Sequence, residues 1–164
     1  MNQRAMITIS GVGTVAAYSS LMTLQALVLD PLAAVPGRSL RQIHAHLLAS
    51  GMNVTSDNVS VIVSASIGVA LSVTVAAVAI NRRLSSVLMA VLFLSIVALG
   101  ALVTFGSGFA LGMDIADSYG GGGGSHTVWA PVLYGTSFLA FLALVAVLAV
   151  RLLRGRSAQG LAKS

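Results

Sequence analysis

Apolar residues in this chain gather into four long runs, at about residues 6–29, 59–80, 84–106 and 128–150, with no charged residue inside any of them. Each run is near the roughly 20 residues that a helix needs to cross about 30 Å of hydrocarbon. Transmembrane β-strands would instead be short and alternate apolar with polar residues. A helix satisfies its own backbone hydrogen bonds, which lipid cannot do. The pattern therefore predicts an all-α, polytopic membrane protein: one domain over residues 1–164 with four transmembrane helices.

The connections differ in kind. In the segment 30–58, Asp30-Pro31 predicts the end of the first helix, because proline disfavours helical backbone at the residue before it. Pro36-Gly37 adds a second break. Ser39 then fits an N-cap and Gly51 a C-terminal stop. Between them Leu40, Ile43, Leu47 and Leu48 recur at helical spacing, while Arg41, Gln42, Ala45 and Ala49 fall mostly elsewhere on the wheel. This predicts a short amphipathic outer helix, which either caps the bundle or offers those four residues to a partner protein or lipid. The brief turn Asn81-Arg82-Arg83 makes the second and third spans antiparallel neighbours. The outer loop 107–127 contains Gly120 to Gly124. It reads as flexible, equally as a native glycine-rich loop or as an engineered linker, and lacks the lysine and hydroxyl of a phosphate loop. The tail 151–164 is short and basic and reads as frayed.

Composition closes off other classes. Of 164 residues, 57% are hydrophobic and 8% charged, against about 25% charged in soluble domains; disorder would need the opposite balance. With no cysteine, disulfides, thiolate metal sites and cysteine nucleophiles are excluded. The preference for Arg over Lys, with abundant Ala, Val and Gly, fits a high-GC bacterial source. The net charge of +5 sits beside the apolar spans, which points to orientation in a membrane and away from nucleic acid. With the N-terminus inside, Arg4, Arg82, Arg83, Arg151, Arg154, Arg156 and Lys163 are cytoplasmic and Arg38 and Arg41 outside. The acids Asp30, Asp57, Asp114 and Asp117 all fall outside or at the outer boundary. The positive-inside bias thus expects a cell (inner) membrane protein with both termini cytoplasmic.

Within the spans, Ser64, Gly68, Ser72 and Ala76 recur every four residues, as do Gly100, Thr104 and Gly108. Small residues at this interval let helices approach closely, so the two stripes are expected to face each other or a third helix. Trp129 and Tyr134 fit interface anchors. His44, His46, Asp114, Asp117 and His126 are the residues that could ligate zinc or copper, although no metal motif matches their spacing. His44 and His46 would lie about 200° apart on a helix. General acid–base chemistry needs ionisable groups within reach of each other, and no intramembrane Ser–His or Asp pair can be drawn. No catalytic residue and no cofactor is expected. The leading expectation is a non-enzymatic membrane subunit that binds, stabilises or regulates a larger membrane complex. A small transporter or channel, in one form a homo-oligomer with a vestibule near Asp30 and Asp114, is the alternative. An outer-face metal- or lipid-binding protein is the third.

Overall fold

A computed structural model describes residues 3–161, with side chains described as far as Arg154. The described residues form helices and turns only. α1 (Gln3–Leu24) passes through a π-helical turn (Gln25–Leu29) into α2 (Asp30–Ala34); then follow α3 (Leu40–Ala49), α4 (Val54–Asn81), α5 (Ser86–Tyr119) and α6 (Trp129–Leu161). Four units are long and apolar enough to cross a membrane: Gln3–Ala34, Val54–Asn81, Ser86–Tyr119 and Trp129–Arg154. The chain is a four-helix membrane protein.

α1 and α5 touch each other and both touch α4 and α6, so they form the short diagonal of the bundle. Their most apolar windows are correspondingly 28% and 22% buried, against 11% for α4 and α6. The central core joins Val15, Tyr18 and Met22 of α1 to Phe93 and Val97 of α5 and Leu133 and Ala140 of α6. Large apolar residues on the outward faces, such as Ile67, Leu102 and Leu139, are more than half exposed, as a lipid-facing surface requires.

Element boundaries depart from the hydropathy pattern in four places. Asp30-Pro31 does not end the first helix. The backbone widens into the π turn, where Asp30 N–H donates to the Gln25 carbonyl five residues back. That shift accommodates proline's missing donor, and the helix continues to Ala34. The third span does not give way to a loop at residue 107. It continues as helix to Tyr119, where Gly120 takes a left-handed conformation (φ 71°) and its N–H caps the Ala116 carbonyl. At 34 residues this helix is about 50 Å long and outreaches the hydrocarbon. α4 likewise begins at Val54, ahead of residue 59, and α6 runs on to Leu161, into the stretch expected to fray.

The extra turns of α5 serve as a post for α3. Ile43 and Leu47 are fully buried, packed with Val35 and Val54 on Leu111 and Ile115 of α5. α3 begins with a reciprocal capping box. The Gln42 backbone N–H donates to the Ser39 hydroxyl, and the Ser39 N–H donates to the Gln42 side chain. It ends at Ser50, followed by Gly51 at φ 83°.

Candidate functional site

The sequence-predicted residues fall into separate places. In α4, Gly68 faces α1: a Cβ there would lie 3.3 Å from Ser19 Oγ. Ser72 is fully buried but donates to its own helix, to the Val69 carbonyl at 2.8 Å. Ala76 packs on the central core and Ser64 lines a small cavity beside Gly68 and Gly100. In α5, a Cβ on Gly100 would lie 2.7 Å from the Tyr18 ring. Both stripes therefore turn toward α1, the diagonal helix. Gly108 has open space above it instead.

Thr104 belongs to a hydroxyl hub that ties three helices together. Tyr18 of α1 and Thr104 of α5 share a hydrogen bond at 2.8 Å, and Ser137 of α6 donates to Tyr18 at 3.0 Å. The three residues are 9%, 4% and 1% exposed respectively. Sequence reading missed Ser137. Its signal is the buried series Ala130, Leu133, Ser137 and Ala140, which repeats at intervals of three and four along one face of α6.

Two concave features flank the π turn. On one side a cleft of about 750 Å³ opens between α1 and α4, lined by Ser20, Thr23, Leu27, Ala65, Ser66 and Ala70 among others. On the other side a cavity of about 180 Å³ lies between the π turn, α5, α6 and the glycine loop. Gln25, Asp30, Thr104, Ser125 and Tyr134 line it with polar groups, Phe105 and Phe109 with aromatic rings, and Gly108, Gly112, Gly123 and Gly124 with bare backbone.

Asp30 holds the loop in place over this cavity. Its Oδ1 accepts from the His126 backbone N–H at 2.7 Å and from the Ser125 hydroxyl at 3.0 Å. The loop thus has a fixed position, although five consecutive glycines alone would leave it flexible. Gly123 lies close to α5: a Cβ there would come 2.8 Å from the Met113 sulfur, which would have to shift.

The candidate metal ligands are dispersed. His46 lies against Tyr119, ring centroids 4.6 Å apart, with Nε2 3.4 Å from the Ser118 carbonyl. The Nε2 of His44 is buried without a hydrogen-bond partner. His126 Nδ1 stands 3.9 Å from Asp30 Oδ2. Asp114 lies against Asp57 of α4. Asp117 is exposed. Among the described residues no three His, Cys or acidic side chains converge as a metal site would require. The apolar stripe of α3 is divided as well. Ile43 and Leu47 are consumed by the chain's own bundle, Leu40 is half-buried, and Leu48 remains 56% exposed. α3 therefore presents little of the apolar face anticipated for an outside partner, because the long α5 already covers it. Trp129 stands 43% exposed at the first residue of α6, and Tyr134 lies one turn further on at the cavity wall. Compared with family models, curated proteins and solved structures, the chain matches none.

Proposed function

We propose that this chain is a non-enzymatic membrane subunit that receives a transmembrane helix of a larger complex in the cleft between α1 and α4. The cleft is the observation that supports the reading. Its walls combine small residues, Ala65 and Ala70, with hydroxyls, Ser20, Thr23 and Ser66. Small residues permit close helix approach, and van der Waals contact then drives association in lipid. Leu24, Leu27, Val28, Ile62 and Val69 complete the walls with larger apolar side chains. The arginines support a topology with both termini cytoplasmic. Arg4, Arg82, Arg83, Arg151 and Arg154 all belong to the end of the bundle opposite α3.

Native mass spectrometry after mild solubilisation tests the function. A second chain is expected at fixed stoichiometry, cross-linked from a single cysteine at Ala70, and displaced when Ser66→Trp fills the cleft. A chain that runs alone, or a partner that survives Ser66→Trp, refutes the proposal. Labelling by an impermeant maleimide at single cysteines in the 81–85 turn and in the 121–124 loop, on intact cells, tests the topology. Only the loop position is expected to react.

A further inference from the structure

We infer that the cavity beneath the glycine loop is a binding site for a small organic ammonium ion, of the size and donor character of methylammonium. Gln25 is the starting point. It is 5% exposed and lines the cavity. Its carboxamide offers both a carbonyl oxygen and N–H groups to an occupant of that space. It also sits on a π turn, a backbone form that recurs at functional sites.

One carboxylate and several neutral polar side chains line the wall. The Asp30 side chain is 17% exposed. Its Oδ1 is fully used by the loop, whereas Oδ2 has only His126 Nδ1 near it, at 3.9 Å, beyond hydrogen-bond range. No lysine or arginine lines the cavity to balance this carboxylate. The Gln25 carbonyl and the Thr104 and Tyr134 oxygens add further acceptors. Phe105 and Phe109 edge the same wall, centroids 5.4 Å apart, and are more than half exposed. The carboxylate, with neutral groups around it that can accept, favours a cation that donates N–H bonds and disfavours an anion.

Size sets the upper limit. At about 30 Å³ per water, the volume of about 180 Å³ holds on the order of six waters, or a ligand of a few heavy atoms. Access is from the loop side, where the exposed residues Gly121 to Ser125 form the cover. The glycines at Gly108 and Gly112 keep the α5 wall free of side chains and so make the room.

The purified full chain in detergent, titrated with methylammonium chloride at constant ionic strength, tests the inference. Trp129, next to the cavity residue Ala130, is the only tryptophan and reports by fluorescence. A saturable change is expected, with an upward shift in thermal unfolding midpoint. Tetramethylammonium, which carries the charge but no N–H, is expected to bind at least tenfold more weakly. Asp30→Asn keeps the Oδ1 acceptor for the loop and is expected to weaken methylammonium at least tenfold, as is Gln25→Leu. Circular dichroism establishes that both variants are folded. A linear, non-saturating response, equal binding of neutral acetamide, or undiminished binding by folded Asp30→Asn overturns the assignment.

Discussion

Replacing Tyr18 with Phe removes one oxygen and leaves the ring, and so separates the hydroxyl hub from the packing around it. Two hydrogen bonds are lost, the one with Thr104 at 2.8 Å and the one from Ser137 at 3.0 Å. Orphaned buried hydroxyls would cost about 1–3 kcal/mol each, but helices offer a fallback. Thr23, Ser66, Thr74, Ser95 and Thr136 each donate to the carbonyl four residues earlier. Thr104 and Ser137 can rotate onto the Gly100 and Leu133 carbonyls in the same way. Interhelical side-chain bonds in membranes average about 0.6 kcal/mol and reach about 1.7. Two of them, softened by the fallback, put Tyr18→Phe at a loss of about 1–2 kcal/mol. Thr104→Val removes one of the same two bonds. The double variant should therefore cost less than the sum of the singles by more than the roughly 0.3–0.5 kcal/mol within which independent sites add. Reversible unfolding in mixed micelles with increasing SDS, followed by Trp129 fluorescence, measures all three. Strict additivity, or a Tyr18→Phe variant as stable as the wild type, would refute the hub as a unit that fastens α1 to α5 and α6.

Gly100→Ala puts a Cβ 2.7 Å from the Tyr18 ring, whereas a Cβ on Gly106 meets nothing within 4 Å. Overpacking of about 1–3 kcal/mol should outweigh the helical gain of about 1 kcal/mol at Gly100 only, so the same SDS assay should rank Gly106→Ala above Gly100→Ala. Leu47→Ala empties the contact between α3 and α5 and should cost about 2–5 kcal/mol, with faster amide exchange across residues 40–49. Asp30→Ala leaves the His126 amide and Ser125 hydroxyl without their acceptor. Amide exchange should rise in residues 121–127 while the bundle's unfolding midpoint stays within a few degrees.

Long-range hydropathy carries the four spans, and local chemistry carries α3: Ser39, Gln42 and Gly51 mark both of its ends within a dozen residues. The continuation of α5 is a different matter. Gly106, Gly108 and Gly112 lower helix propensity, and Asp114 and Asp117 dilute the hydropathy, so the pattern there resembles a loop. What keeps it helical is burial of Leu111 and Ile115 beneath α3, a contact between segments some seventy residues apart in sequence. Ser137 was hidden for a related reason. In a helix apolar on every side there is no amphipathic contrast to show which stripe faces inward. The stripes of small residues were visible as packing surfaces, but not their common target. The cavity was the least legible feature, because it exists only where the π turn, two helices and a tethered loop meet. Of its polar residues, Asp30 stood out in sequence for its charge and Gln25 only as an isolated polar residue.

The π turn is the element that both concave sites share: Leu27 and Val28 line the cleft while Gln25 lines the cavity. A π turn holds one residue more than α-helical geometry needs, so removing one residue restores an α-helix without turning the flanking segments out of register. Deleting Val28 should therefore leave Tyr18 facing Thr104 and Asp30 facing His126, because the segments before and after the bulge keep their places. The variant should fold with an unfolding midpoint near that of the wild type. It should also redirect Gln25 and narrow the cavity, so that methylammonium no longer shifts Trp129 fluorescence. Should the deletion unfold the chain, the π turn would be needed to join α1 to α2. Should binding persist unchanged, the bulge would not be what shapes the cavity. A stable, non-binding variant would show that the widened turn is retained for what it presents on its two sides. Partner docking in the cleft and occupancy of the cavity would then act on one stretch of backbone, and any effect of one on the affinity of the other must be reciprocal.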